Sequence, residues 1–250
     1  MTVVHRFRHV RSTNPTHNRA QSLQYTPHPS IAARTKFCEM KMTEGDASCE
    51  KRVYLVRHAQ SLQNVAVAQF FFNGDWAALG RMLRLGHDSP ISEEGAAQLK
   101  DAAIRLNTSD GGFAKQQNVE IVVHSPYQRA VQTAWALFPQ WINSSRMVSL
   151  PALHERTLTE YFFPQLLEAR VRQVRSWIEG RDEKTIALVG HGQFFKTCLG
   201  VSKSQRNVSI LETTYTPESG FTPTSTAVVF EGYPDPDVRP KNTTGNLDNR

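Results

Sequence analysis

The chain has 250 residues, with 29 Lys and Arg against 23 Asp and Glu for a formal charge of +6, and a sequence pI near 9.4. Six basic residues, Arg6, Arg8, Arg11, Arg19, Arg34 and Lys36, fall in the first 38 positions, where no Asp or Glu occurs. The excess therefore belongs to the N-terminal stretch, and a nucleic-acid-binding domain is not indicated. Three cysteines build no disulfide framework, and no apolar run approaches the ~20 residues of a membrane-spanning helix.

Residues 1–51 read as a basic, disordered extension studded with Pro and His; an Arg-bearing start without acids also fits an organelle transit sequence. The expected location is cytoplasmic, with mitochondrial as the alternative. Residues 52–231 form one domain, large enough to bury a core without staples. Residues 232–250, with Pro234, Pro236 and Pro240, read as a second disordered tail.

Within the domain, Val53 to Val56 is a short β-branched run without alternation, as expected of a strand covered on both faces. It delivers Arg57 and His58 into a turn ahead of a helix. A neutral imidazole can attack phosphorus while an adjacent guanidinium holds the phosphoryl oxygens. Asn64, six residues on, either hydrogen-bonds the phosphoryl group or is only a helix-start residue. The aromatic run from Phe70 to Trp76, continuing to Arg81, Arg84 and His87, is long enough to cover a site mouth. Its rings suit core packing or the apolar body of an organic phosphate, and Gly74 and Gly86 suit hinges or helix stops. Ser92 is placed to cap a helix with Glu93 and Glu94 in its first turn and Ala96, Leu99, Ala103 and Leu106 as its buried stripe.

A second buried strand, Val119 to Val123, leads into His124-Ser125-Pro126-Tyr127-Gln128-Arg129. Ser125 and Gln128 form a capping-box pattern with Pro126 at the first helical position, so the helix is predicted to begin at Pro126 with Arg129 in its opening turn. Ala130, Ala134 and Leu137 recur at core spacing. Pro164 opens a helix whose Leu167, Val171, Val174 and Ile178 share a face and which stops at Gly180. The third strand, Thr185 to Val189, ends in Gly190-His191-Gly192 and a helix to Leu199. An irregular Thr- and Ser-rich loop from Val201 to Ser225 then precedes a last strand, Thr226 to Phe230. In open α/β sheets ligands sit beyond the carboxyl ends of strands, so these three ends can share one pocket. The fold class is α/β, a three-layer α/β/α arrangement with a mostly parallel central sheet and helices on both faces.

Leu55 to Asn64, Ser125 to Thr133 and Gly190 to Gly192 together resemble the histidine phosphatase (phosphoglycerate mutase-like) superfamily, over roughly residues 52–231. The family's RHG motif reads Arg57-His58-Ala59, and Asp88 to Gly95 matches its D-x-P-L-T-x-x-G segment. The resemblance implies that His58 is the nucleophile forming a phosphohistidine, that Arg57, Arg129 and His191 bind the phosphoryl group, and that Asn64 lines its pocket. It also implies a carboxylic acid that protonates the leaving group. Glu155, in a Leu153-His154-Glu155 stretch resembling the family's L-x-E, is the choice, with Glu160 as the alternative. Arg156 either forms a surface ion pair or meets a second anionic group of the substrate. The implied activity is hydrolysis of a phosphomonoester without metal or other cofactor, the substrate being a phosphorylated small molecule or phosphoprotein. Phosphoglycerate mutase-type transfer and a non-catalytic scaffold for phosphorylated partners are the alternatives. The step of only 36 positions from Glu155 to His191 favours hydrolysis over mutase action, because the family's mutases carry a long insertion there. Oligomeric state has no sequence signature.

Overall fold

The computed structural model describes residues 50–108 and 112–235; the extension before residue 50 and the tail beyond 235 lie outside them. Along the chain run β1 (Lys51–Arg57), α1 (Leu62–Asn73), α2 (Trp76–Leu85), α3 (Glu93–Leu106), α4 (Gly112–Gln116), β2 (Ile121–His124), α5 (Gln128–Leu137) and β3 (Met147–Ser149). They are followed by α6 (Leu158–Phe162), α7 (Pro164–Glu179), β4 (Thr185–Gly190), α8 (Gly192–Leu199), β5 (Ile210–Thr216) and β6 (Gly220–Phe230).

The strands form one sheet in the order β3-β2-β4-β1-β5-β6. The β3–β2, β2–β4 and β4–β1 pairs are parallel, and β1–β5 and β5–β6 are antiparallel, so the sheet is mixed and mostly parallel. The predicted buried runs occupy its centre: Val53 to Val56 and Ile186 to Val189 are fully buried. Their side chains alternate between two cores, as the period of a strand requires. On one face Val53, Leu55, Ile121, Val123, Ile186 and Leu188 pack against α7 and α8. On the other, Tyr54, Val56, Val122, Ala187 and Val189 meet α3, α4 and α5. These two cores make the three layers. Among the described residues no helix is long and apolar enough to cross a membrane.

Several local expectations are corrected. Val201 to Ser225 is not one irregular loop: it contains β5 and the start of β6, which close the antiparallel edge beside β1. Thr and Tyr are strand formers, and the buried positions Ile210, Thr213 and Tyr215 mark the inward faces of β5. The stripe on α3 is Gly95, Gln98, Leu99 and Ala102, with Ala96 exposed. The helix rotates this way because Gly95 lies directly on the Gln60 backbone, whose carbonyl oxygen would stand 2.1 Å from a Cβ. Gly74, left-handed at φ 66°, and Gly86 stop α1 and α2 as helix caps. Of the aromatic run, Phe71 and Trp76 are not core, being 67% and 75% exposed.

The helix carrying Arg129 starts at Gln128, two residues later than predicted, and Tyr127 at its N-cap makes no side-chain cap bond. The Gln128 N–H instead donates to Asp88 Oδ1 at 2.6 Å, so the free end of α5 is satisfied by the D-x-P segment. Residues 232–235, read from sequence as the start of a loose tail, are tied to the domain. Tyr233 and Asn207 exchange backbone hydrogen bonds of 2.8 and 3.1 Å.

Candidate active site

The register of the sheet builds the site. Arg57 stands opposite Gly190 across β1–β4, and His124 opposite Val189 across β2–β4. The three strands thus end level, and the residues that follow them, His58, Ser125 and His191, leave the sheet side by side. Backbone bonds lock the ends together, with the His58 N–H donating to Gly190 O at 3.0 Å and the Ser125 N–H to Val189 O at 2.9 Å.

His58 is buried, and its Nδ1 lies 2.6 Å from Ala59 O, which can only accept. The proton therefore sits on Nδ1 and the lone pair on Nε2. The other side of the ring agrees, because Arg129 Nε donates to His58 Nε2 at 3.2 Å. Burial, reinforced by Arg129 and Arg57, holds the His58 imidazole well below its ordinary pKa, so it is neutral. Arg129 is positioned from several directions. Its Nη1 donates to His87 O at 2.6 Å, its guanidinium lies 4.9 Å from the Tyr127 ring centroid, and its carbonyl accepts from Thr133 Oγ1 at 2.7 Å. Thr133 Oγ1 in turn accepts from Ala59 N–H, coupling α5 to the turn that holds His58.

The His191 ring stands 5.0 Å from that of His58, inclined at 64°. Its Nε2 is 2.8 Å from Ser125 Oγ, while its buried Nδ1 has no hydrogen-bond partner among the described residues. Burial, then the neighbouring His58 and Arg129, keeps His191 well below its usual value, so it is neutral too. Ser125, assigned to a helix cap from sequence, is thus a partner of the second imidazole, and no spacing pattern could have signalled this. Gly192 opens α8 at close quarters: a Cβ there would fall 2.3 Å from Ser204 Oγ and 3.1 Å from Arg57 Nε.

Glu155 follows the short turn Pro151–Leu153 and joins the two imidazoles, the ligand-capable atoms of His58, Glu155 and His191 all lying within 4.8 Å of one another. Burial raises its pKa, opposed by the Arg156 N–H, which donates to Oε1 at 2.8 Å, and by Arg129 and Arg57. Glu160 is elsewhere. Its carboxylate receives Arg170 Nε at 2.8 Å and Nη2 at 2.7 Å and completes a capping box with Thr157. Burial alone would raise Glu160, but these bonds outweigh it and the carboxyl is held below its usual value. Arg156 forms no side-chain ion pair among the described residues; it lies 3.9 Å over the Tyr161 ring and donates to Glu160 O. Asn64 Oδ1 accepts from the Ser61 N–H and hydroxyl in the capping box of α1.

Arg57 is buried and pairs bidentately with Asp235, Nη1 at 2.6 Å and Nη2 at 2.9 Å, while Nη1 also donates to Gln205 O. Nothing in the Pro-flanked Asp235 segment pointed to this. His58, Glu155 and His191 are also close enough to share a metal ion. The two guanidiniums beside them oppose a cation and favour an oxyanion.

Fold and site define the class: a three-layer α/β protein with paired imidazoles and paired guanidiniums gathered at level carboxyl ends of parallel strands. Residues 53–162 match the family model of the histidine phosphatase superfamily (branch 1). No curated protein matches the sequence. Solved structures that it resembles include a mycobacterial glucosyl-3-phosphoglycerate phosphatase, at 15% identity and TM-score 0.44, over 74% of this chain and 99% of that one. A phosphoglycerate mutase from Bacillus anthracis str. Sterne aligns at 14% identity and TM-score 0.46, over 73% and 93%. A phosphoserine phosphatase variant from Entamoeba histolytica, in complex with phosphoserine, aligns at 15% identity and TM-score 0.43, over 72% and 96%.

Proposed function

We propose that this protein is a metal-independent phosphatase that hydrolyses a phosphomonoester through a phosphohistidine on His58. The observation that carries the reading is the tautomer of His58. Its Nδ1 proton is committed to Ala59 O, and its Nε2 lone pair faces a space shared with Arg129, His191 and Glu155.

In this mechanism the incoming phosphoryl group takes over the Arg129 Nε–H from His58, which frees the Nε2 lone pair as the anion is clamped. The buried and unpartnered Arg57 Nε and His191 Nδ1 supply further contacts. Bringing a dianion next to His191 raises its proton affinity, so the second imidazole becomes a donor in the occupied site. Nε2 attacks phosphorus, the ester P–O bond breaks, and Glu155 gives its proton to the departing oxygen. A carboxyl whose pKa burial has raised is suited to that donation. Water then attacks the phosphohistidine while the Glu155 carboxylate takes its proton; the P–N bond breaks, His58 recovers its lone pair, and phosphate leaves. The Nδ1–H bond to Ala59 O steadies the ring charge that appears while Nε2 carries the phosphoryl group.

The substrate is a phosphorylated small molecule or a phosphoprotein. Incubation of the full-length protein with an aryl phosphate is expected to release phosphate in the presence of excess EDTA and to leave an acid-labile label on the chain. His58→Ala is expected to lose both. Turnover by His58→Ala at the parental rate sinks the nucleophile assignment, and loss of activity on chelation sinks metal independence. With a phosphoglycerate as substrate, isomer exchange without net phosphate release replaces the hydrolase reading with a mutase.

A further inference from the structure

The Arg57 guanidinium has two edges with different fates. The outer edge, Nη1 and Nη2, is held by both carboxylate oxygens of Asp235 and by Gln205 O. The inner edge carries Nε, which is buried, has no hydrogen-bond partner among the described residues, and lies against Gly192 at the opening of α8, next to His191.

We propose that Asp235 is a positioning residue for Arg57: by gripping the outer edge of the guanidinium, it turns the Nε–H edge toward the phosphoryl site. The proposal rests on the reading of Arg57 as part of the phosphoryl clamp. It makes the segment after β6 part of the active site, although that segment reads as tail in the sequence.

Electrostatics and anchoring both support this role. Arg57 and Arg129 repel one another, and Arg57 is nearly fully buried, so an unpaired guanidinium there would turn outward to water. Asp235, itself three-quarters buried, supplies the missing counter-charge from the side away from the substrate. Its carboxylate is delivered from a fixed point. Gly232 adopts φ +70°, where a Cβ would fall 2.3 Å from Asn207 O, and Tyr233 pairs with Asn207 through both backbone bonds. The Tyr233 hydroxyl donates to Asp101 on α3, and its ring lies 6.0 Å from that of Phe230. Gln205, the other holder of Arg57, sits in the same loop as Asn207, so strap and loop form one clamp.

The test uses full-length Asp235→Ala and Asp235→Glu, Gly232→Val, Arg57→Ala and the Arg57→Ala/Asp235→Ala double variant, each checked for parental circular dichroism. Asp235→Ala is expected to lower kcat/KM for an aryl phosphate on the order of 10- to 100-fold, the scale of a misplaced binding group. It is expected to weaken orthovanadate inhibition by a similar factor. Asp235→Glu recovers part of the loss, and Gly232→Val, which displaces the strap and leaves the carboxylate intact, reproduces it. In the Arg57→Ala background, removing Asp235 causes no further loss, because the pair acts as a unit. Parental kinetics in Asp235→Ala, or losses that multiply in the double variant, overturn the proposal. Faster turnover in Asp235→Ala also overturns it, since the carboxylate would then be a plug competing with substrate. Titration of orthovanadate by calorimetry reads the same Arg57–Asp235 coupling without turnover, so an enzyme whose turnover ignores His58 refutes the functional reading separately.

Discussion

Replacing Arg129 by methionine keeps much of the side-chain volume on α5 and removes the guanidinium, and the hydrogen bonds of the site set the size of the effect. Of the five N–H groups of an arginine, one is on His87 O and the Nε–H, held by His58 Nε2, passes to the phosphoryl group, so that Nε and Nη2 form a planar fork for its oxygens. A hydrogen bond to a charged group contributes about 1.5–3 kcal/mol, so losing a bidentate pair costs about 3–6 kcal/mol, or roughly 10²- to 10⁴-fold in kcat/KM. The same substitution acts on the nucleophile. After burial, Arg129 is the largest influence holding the His58 pKa down, so its removal raises that pKa. Neutral His58 is lost as pH falls through its pKa; a raised value therefore moves the acidic limb of kcat/KM to higher pH. Arg129→Lys separates the two effects: its charge keeps the limb near the parental position, while loss of the fork still lowers kcat/KM. The assay is aryl phosphate hydrolysis from pH 4 to 9 for parent, Lys and Met forms. An Arg129→Met enzyme within about tenfold of the parent, with its acidic limb unmoved, would refute the reasoning.

Two further predictions concern the carboxylates. Glu155→Gln is expected to lower kcat on an alkyl phosphate by about 10²- to 10⁴-fold and on p-nitrophenyl phosphate much less, because nitrophenolate departs without a proton. The parental rate on the alkyl substrate declines as pH rises through the raised pKa of Glu155, and this limb is absent in the variant. Equal losses on both substrates would remove Glu155 from the role of acid. For Glu160, removal of one partner from a buried ion pair predicts that Glu160→Ala is destabilised by about 3–5 kcal/mol in urea unfolding. The milder Glu160→Gln is expected to keep its kcat on alkyl phosphates; a loss there with Glu155→Gln unaffected would exchange the two assignments.

Much of the molecule was legible in one dimension because the signals were local. Val53 to Val56 and Thr185 to Val189 are short runs without polar alternation, bounded by β-branched residues, and only a sheet covered on both sides buries such runs. Leu167, Val171, Val174 and Ile178 repeat at helical spacing and line the face of α7 that meets the sheet. Arg57 ends β1, and His58 and His191 stand directly after β1 and β4, so their shared location followed from the parallel direction of those strands. Where two local signals competed, the pattern misled. Ser125 and Gln128 read as a capping box, but Asp88 caps α5 and the Ser125 hydroxyl lies on His191.

Tertiary structure decided what depends on distances between remote parts of the chain. Glu155 and Glu160 are five positions apart and chemically alike; only packing put one beside the imidazoles and tied the other to Arg170. The sequence identifies His58 as an imidazole after a strand, whereas its protonated nitrogen is set by where Ala59 O and Arg129 fall around the ring. The Arg57–Asp235 pair spans 178 positions and has no pattern at either end. Residue type and local period determined the elements and the reactive groups; opposite charges meeting within a low-dielectric fold determined which of those groups is held in place to act.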